Sequence, residues 1–236
     1  MKAYYLGRVA YRPTWELQER LRTQVLTGGP ETLLLCEHRP VLTLGKSATP
    51  TDILRATDGV EQVRTSRGGQ VTYHGPGQLV VYPIVRLRGG VLAHIEWLAS
   101  AAIAVASRFG IAAEFSRERV GVWTHGRKLA AIGVHIARRV AIHGLAMNIR
   151  REATRAFEQG WFVACGEAGA RAVSLEEAVL ESHPALPFAL TVESAAQLMA
   201  DELSILAGQA PLPLETATLE QLGASCADGA PTEPQP

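Results

Sequence analysis

The sequence predicts an α+β fold in which a mixed or antiparallel sheet packs with helices in a single domain. Strand-length apolar runs and helical patterns follow one another irregularly, without the regular alternation of a doubly wound sheet. A long segment, residues 91–109, is apolar on most sides, which indicates a buried helix. Residues 67–78 hold four glycines between two strand-like runs, a density that no ordinary hairpin requires.

The first part of the chain predicts four strands, one amphipathic helix and a loop. Leu17, Leu21 and Val25 follow at four-residue spacing and mark the buried helical face. Gly28 and the residues after it end this helix. The predicted elements, in order, are a strand at 4–9, a helix with Thr14 as its N-cap, a buried strand at 32–36, a short strand before Gly45, a surface loop at 46–58 and a strand at 60–65.

The second part predicts strands on both sides of the long helix and then mainly helices. Ser174 and Glu177 have the spacing of a capping box, which predicts a helix start. The predicted elements are a strand at 79–85, the helix at 91–109, strands at 120–124, 128–136 and 140–147, a short helix at 152–159, a helix after Ser174 and a helix at 192–206. We expect one domain over 1–210 and a disordered tail over 223–236, which lacks an apolar period.

Composition excludes several classes of function. Lys plus Arg and Asp plus Glu both total 23, so the net charge of zero argues against a nucleic-acid binder. The N-terminus lacks a signal-peptide pattern and no run of 18 apolar residues follows, so no membrane span is expected. The three cysteines form no C-x-x-C pair, which argues against a zinc site and favours a reducing compartment. We expect a cytoplasmic protein without a metal or cofactor.

The glycine-rich segment 67–78 is the first candidate site. A strand pattern follows it, whereas a dinucleotide-binding G-x-G-x-x-G segment leads into a helix, and the chain contains no P-loop motif. The alternative is an elaborate pair of turns. Turns do not require Arg67, Tyr73 or His74, so the segment favours a wall that brings backbone N–H groups close to a ligand.

Cys165 is the candidate nucleophile, although a lone cysteine is more commonly a small buried apolar residue. Cys36, beside three leucines, fits that alternative, and Cys226 lies in the predicted tail. Small residues surround Cys165, and neighbouring N–H groups would serve as oxyanion donors. Lys128 would favour a thiolate by its charge, although a solvated strand end is the alternative for this residue.

The histidines divide into three groups. His74 and His143 lie beside glycines in site-like contexts. His135 alternates with apolar residues and is predicted to be a hydrogen-bonded core residue. The remaining four histidines are predicted to be turn or surface residues: His38, His94, His125 and His183.

Four segments together resemble the octanoyltransferase family of lipoate biosynthesis. They are Arg67-Gly-Gly-Gln-Val-Thr-Tyr-His-Gly-Pro-Gly-Gln78, Lys128-Leu-Ala-Ala-Ile-Gly-Val-His-Ile136, His143-Gly-Leu-Ala-Met-Asn148 and Ala164-Cys-Gly166. The resemblance runs from about residue 5 to about residue 207 with the segments in the family's order. It implies a fold like the catalytic domain of biotin and lipoate protein ligases.

The resemblance also implies a reaction, its partners and its site. Cys165 would take octanoyl or lipoyl from acyl carrier protein and pass it to a lysine of a lipoyl domain, in 2-oxoacid dehydrogenases or the glycine cleavage H protein. Lys128 would lower the pKa of Cys165 and relay protons. The implied acyl contacts are Arg67, Gly68, Gly69, Gln70, Val71, Thr72, Tyr73, His74, Ala131, Ile132, Gly133, Gly144, Leu145 and Ala146.

The sequence departs from the family at two positions beside Cys165, and three other functions are possible alternatives. Ala164 replaces the family's proline, and Glu167 replaces an aliphatic residue and would tend to raise the pKa of the thiol. An ATP-dependent lipoate or biotin ligase would need no nucleophilic thiol. A non-catalytic acyl- or lipoyl-domain-binding module would not need both Lys128 and Cys165. A cysteine hydrolase is disfavoured because no convincing Cys-His-Asp set is present.

Overall fold

A computed structural model of the chain describes residues 1–54, 57, 59–162, 171–182 and 190–227, with side chains up to residue 224. The strands are β1 (Lys2–Val9), β2 (Thr32–His38), β3 (Val41–Leu44), β4 (Glu61–Arg64), β5 (Val71–His74), β6 (Gln78–Ile84), β7 (Glu114–Ser116), β8 (Gly121–Thr124), β9 (Arg127–Ala137), β10 (Val140–Asn148) and β11 (Leu214–Thr216). The α-helices are α1 (Tyr11–Leu26), α2 (Val91–Arg108), α3 (Arg155–Glu158), α4 (Leu175–Ser182), α5 (Val192–Leu206) and α6 (Leu219–Ala227).

The described strands form two sheets. The larger has the order β11-β1-β2-β6-β10-β9-β8-β7 and the smaller the order β4-β3-β5. In the larger sheet β1 runs parallel to β2 and β11, and the other pairs are antiparallel. The predicted α+β class with a mixed sheet is therefore confirmed.

Helices cover both faces of the larger sheet. On one face α2, α4 and α5 bury the largest apolar cluster, and on the other α1 packs over a second cluster. Leu17, Leu21 and Val25 face the sheet from α1, as their spacing predicts. A third, smaller cluster lies beside the small sheet and α3.

Helix α2 is the one described helix that is long and apolar enough to cross a membrane, by length and composition alone. The core helix of a globular domain passes the same test. In this fold Leu98, Ala102 and Val105 pack into the cluster between α2, α5 and the sheet.

Two tight turns formed as the sequence predicts. His125 (φ 46°) and Gly126 (φ 70°) join β8 to β9, and Arg138 (φ 48°) and Arg139 (φ 65°) join β9 to β10. Left-handed backbone at both central residues defines the two-residue turn whose twist matches paired strands. The capping box before α4 is also confirmed, because Ser174 and Glu177 exchange backbone and side-chain hydrogen bonds.

The predicted start of α1 is wrong. The helix begins at Tyr11 with Ala10 as its N-cap, and Thr14 is a buried helical residue. The Thr14 hydroxyl donates to the Ala10 carbonyl at 2.7 Å, a bond available to a threonine inside a helix. Pro13 fits in the first turn, where its missing N–H would have no intrahelical partner.

The predicted tail begins too early. Helix α6 includes 223–227, the first residues assigned to the tail. Leu219 and Leu222, three residues apart, pack against the cluster beneath α1 and anchor this short helix. Residues 228–236 lie outside the described residues.

Candidate active site

The glycine-rich segment forms one wall of a groove between the two sheets. Its loop crosses β9, where the Gly68 N–H donates to the Val134 carbonyl at 3.0 Å. Two cavities lie along this groove, of about 200 Å³ beside Lys128 and about 30 Å³ beside His143. Both are lined by Arg67, Thr72, Ala131 and Ile132, so the cavities adjoin.

The fold brings together all the implied acyl contacts except Tyr73. The others line one or both cavities. On β5 the side chains alternate, so Thr72 and His74 face the groove and Tyr73 faces away. The Tyr73 ring instead packs edge-on against Trp161, with 5.7 Å between ring centroids, in the cluster beside the small sheet.

Arg67 fixes the conformation of the glycine-rich loop through hydrogen bonds from its guanidinium to backbone carbonyls. Its guanidinium is buried and donates to the Thr43 carbonyl at 2.6 Å and to the Gln70 and Gly68 carbonyls at 2.9 Å each. Burial lowers the pKa of Arg67 because desolvation disfavours the charged form. A Cβ at Gly133 would lie 3.2 Å from Arg67 Cδ, so glycine lets the loop sit close to β9.

A β-bulge directs Lys128 into the groove. In the pairing of β8 with β9, Val122 lies opposite Ala130 and Trp123 opposite Lys128, which leaves Leu129 as an extra residue. Leu129 and Ala130 both face the α2-side cluster, whereas Lys128 lines the larger cavity. Without the extra residue, strand alternation would place Lys128 on the α2 side with Ala130.

The Lys128 side chain is held in a narrow channel. It is 6% exposed, and its Nζ donates to the Val120 carbonyl at 3.2 Å and lies 5.3 Å from the Trp123 ring centroid. A Cβ at Gly121 would lie 2.6 Å from Lys128 Cε, so the channel requires glycine at this position. The alternative of a solvated strand end does not apply to this lysine.

The segment that contains Cys165 lies outside the described residues, together with Ala164, Gly166, Glu167 and the separate His183. Its two flanks are described. Phe162 lines the larger cavity beside Lys128. On the other flank, the Lys128 N–H donates to the Arg171 carbonyl at 2.8 Å and the Val173 N–H donates to the Lys128 carbonyl at 3.0 Å.

A chain of buried polar side chains connects these flanks to the glycine-rich loop. The Asn148 amide donates to the carbonyls of Lys128 (3.4 Å) and Val173 (3.3 Å) and accepts from Gln78 Nε2 at 3.0 Å. Gln78 Oε1 accepts from His74 Nδ1 at 2.8 Å, and His74 Nε2 lies 3.3 Å from the Thr43 hydroxyl. The amide therefore fixes the tautomer of His74 with its proton on Nδ1.

Replacing Asn148, the only asparagine of the chain, with alanine should lower the free energy of unfolding by about 1–3 kcal/mol. The change removes the side-chain bonds to the buried carbonyls of Lys128 and Val173 and one of the bonds of the Gln78 amide. Urea unfolding measures the effect. Gln62→Ala is the control, because the Gln62 side chain is exposed and loss of its bond to Thr57 should have little effect. Equal stabilities for the two variants would contradict the role given to Asn148.

The predictions for the histidines are partly correct. His74 and His143 lie in the groove, and His125 is an exposed turn residue. His38 and His94 are buried and not at the surface. Two contacts explain the difference. The hydroxyl of Tyr82, 44 residues away, donates to His38 Nε2 at 2.7 Å, and His94 packs on Trp97. His135 is only half-buried, which does not fit the predicted core role.

Cys36 is the buried apolar residue that its leucine neighbours predict. Desolvation raises the pKa of its thiol, so this cysteine stays protonated. Sequence reasoning did not give a role to Gln78, Asn148, Thr43 or Gly121. The first two lie inside the quoted motifs, but their function depends on contacts that no local pattern contains.

The comparisons with known proteins agree with this geometry. Residues 10–204 match the model of the lipoyl protein ligase A/B catalytic domain. The crystal structure of lipoate-protein ligase A bound with ATP has a TM-score of 0.72 at 12% identity, and covers 97% of this chain and 95% of its own. An archaeal bipartite lipoate protein ligase from Thermoplasma acidophilum has a TM-score of 0.68 at 12% identity, with coverages of 97% and 93%. Fold and site therefore define a lipoyl protein ligase A/B catalytic domain.

The curated relatives narrow this class. The octanoyltransferase of Acidobacterium capsulatum is 38% identical over 82% of this chain and 86% of its own length. The octanoyltransferase of Leifsonia xyli is 44% identical over 72% of this chain and 78% of its own length. That of Methylococcus capsulatus is 37% identical over 84% of this chain and 95% of its own length. The chain belongs to the octanoyltransferase family.

The chain is thus an acyltransferase that transfers octanoyl in lipoate biosynthesis, as its four segments predict. The ligase alternative is not favoured. Likeness to the ligases at 12% identity shows only the fold, whereas the relatives at 37% identity or more are octanoyltransferases.

Proposed function

We propose that octanoyl passes through a thioester on Cys165. The Cys165 thiolate attacks the carbonyl carbon of a phosphopantetheine thioester on acyl carrier protein, and the carrier thiol leaves. The ε-amine of a lipoyl-domain lysine then attacks the new thioester, forming an amide and releasing the Cys165 thiolate. The Lys128 ammonium gives a proton to the departing carrier thiol and, then neutral, takes the proton that the attacking amine loses.

The observation that carries this proposal is that both described flanks of the Cys165 segment lie beside Lys128. Cys165 follows Phe162 by three residues, which span at most about 10 Å. Phe162 lines that cavity, and the far flank is bonded to the Lys128 backbone at Arg171 and Val173. This tether allows the Cys165 thiol to approach the Lys128 ammonium, which would favour the ionised form of the thiol.

The groove suits an extended alkyl chain. The predicted contacts on β9 and β10 are small or apolar, and Gly133 lies opposite Gly144 across the two strands. A Cβ at Gly144 would lie 2.7 Å from Pro83 Cδ, so this position too requires glycine. We propose that octanoyl lies along this surface with its thioester beside Lys128 and its methyl end toward His143.

The acceptors that we propose are lipoyl domains of 2-oxoacid dehydrogenases and the glycine cleavage H protein. The archaeal ligase with a similar fold was solved as a lipoylation system with its E2 lipoyl domain. We assign the activity to residues 1–210. Because the mechanism requires a reduced thiol, we place the reaction in the cytoplasm.

Mixing the protein with octanoyl-acyl carrier protein should add one octanoyl group to Cys165. Intact mass and peptide mapping measure the adduct, which hydroxylamine should remove because a thioester is labile to it. Cys165→Ser should lose the labile adduct, whereas Cys36→Ser, the matched control at a buried thiol, should keep it.

Two outcomes would contradict the proposal. One is an adduct on Cys36 or no adduct at all. The other is full octanoylation of a lipoyl domain by Cys165→Ser from ATP and free octanoate, which would indicate a ligase mechanism.

A further inference from the structure

The smaller cavity is where the groove ends. It lies between Tyr11 of α1, Tyr82 of β6 and His143 of β10. His143 pairs with Val134, six residues beyond Lys128 on β9, so the two ends of the groove are less than about 20 Å apart. An acyl chain attached near Lys128 would point its far end at His143.

Buried polar atoms lie around this end. Among the described residues His143 Nδ1, Gln18 Nε2 and Trp15 Nε1 have no hydrogen-bond partner. Gln18 is fully buried, and its Oε1 accepts the His143 N–H at 2.8 Å. The Trp15 ring lies 5.8 Å from the His143 ring. Buried polar atoms in proteins are nearly always hydrogen-bonded, so three together indicate a ligand atom or water.

Two further observations point to a built site. His143 has a left-handed backbone (φ 58°), which is uncommon for a residue other than glycine and clusters at functional sites. Its other ring nitrogen, Nε2, is bonded to the Ser66 hydroxyl at 3.1 Å, so the ring is fixed in place. The cavity of about 30 Å³ holds roughly two water molecules at most.

We propose that His143, which lines the cavity, and the Gln18 amide bonded behind it form a polar floor that binds a hydrogen-bonding atom and thereby limits the length of the acyl chain. The proposal rests on the function above in taking the groove as the acyl site. A chain that stops short leaves the floor hydrated. A longer chain replaces water by a methyl group that cannot bond the amide or the imidazole, and binding weakens. A chain that ends in a hydroxyl replaces the lost bonds.

Binding of straight-chain fatty acids and their ω-hydroxy counterparts, measured by calorimetry on the wild-type protein, tests this floor. Affinity for the plain acids should rise with length and then fall by about tenfold at the length that reaches the floor. At that length the ω-hydroxy acid should bind about tenfold more tightly than the plain acid. A continuous rise with length, with the hydroxy acid weaker throughout, would overturn the proposal.

Gln18→Met removes the amide at nearly constant volume. It should abolish the fall in affinity and the hydroxyl preference, whereas Gln24→Met, six residues further along the same helix, should keep the wild-type profile. A wild-type profile in Gln18→Met would contradict the floor. If Gln18→Met does not fold, the two ligand series in the wild-type protein decide.

These measurements separate the floor from the proposed reaction. Fatty-acid binding does not use the thiol. If affinity falls at one chain length but no octanoyl adduct forms, the thioester step is contradicted and the polar floor is supported. If the adduct forms but affinity does not fall at any length, only the polar floor is contradicted.

Discussion

Replacing Lys128 with methionine is expected to lower the rate of octanoyl transfer by about 10²–10⁴-fold, the usual contribution of a positioned acid–base group. Methionine keeps the length and apolar stem of the buried side chain and removes its charge and its proton. The transfer rate to a lipoyl domain measures the effect. Lys2→Met, an exposed position on β1, is the matched control and should leave the rate unchanged.

The same variant should shift alkylation of Cys165 to higher pH. An ammonium near a thiol stabilises the thiolate and lowers its pKa, so its removal raises the pH at which the thiol reacts. An iodoacetamide rate profile against pH, with peptide mapping, measures the shift. An unchanged profile together with an unchanged transfer rate would mean that Lys128 neither tunes the thiol nor moves protons.

Mild acid should unfold the protein. Desolvation lowers the pKa of His38 and of His94 to about 4, that of His143 to about 3 and that of His74 well below its usual range. The unfolded chain binds these protons near pH 6.5, and the folded chain does so only at lower pH. Stability is therefore present above pH 6.5 and is lost as the pH falls toward about 4.

The expected size of this loss is large. Each histidine contributes at most about 1.4 kcal/mol per pH unit in that window, so the four together contribute at most about 6 kcal/mol per unit, compared with a total stability of about 5–15 kcal/mol. Urea unfolding between pH 7 and pH 4.5 measures the slope. His38→Gln should reduce it by about one proton, whereas His125→Asn, at an exposed turn, should not. A flat profile over this range would contradict the prediction.

The elements that the sequence predicts well are those with local causes. Residues 138–139 form a tight turn between two apolar runs, and the spacing of Ser174 and Glu177 is itself the capping box. The amphipathic face of α1 follows from the period of Leu17, Leu21 and Val25. In each case the interacting residues are close together in the chain, so their pattern contains the information.

The features that sequence reasoning missed depend on distant partners. His38 is buried because the Tyr82 hydroxyl donates to its Nε2, and α6 is a helix because its two leucines reach the cluster beneath α1. Tyr73 was grouped with its motif, although strand alternation places it on the opposite side from His74. The roles expected of Lys128 and Cys165 come from resemblance to a family, whereas the bonds of Gln78 and Asn148 and the buried polar atoms around His143 join residues far apart in the chain.

The extra residue at Leu129 has a consequence for how this strand can change. Beyond it, the side chains of β9 alternate between core and groove in one phase, and before it they alternate in the opposite phase. The position of the lysine therefore depends on a residue count as well as on residue identity. Removing or adding one residue between Lys128 and Ala130 would preserve an apolar strand that still packs, yet turn the amine out of the groove. The chemistry proposed for Lys128 therefore depends on the number of residues in this strand.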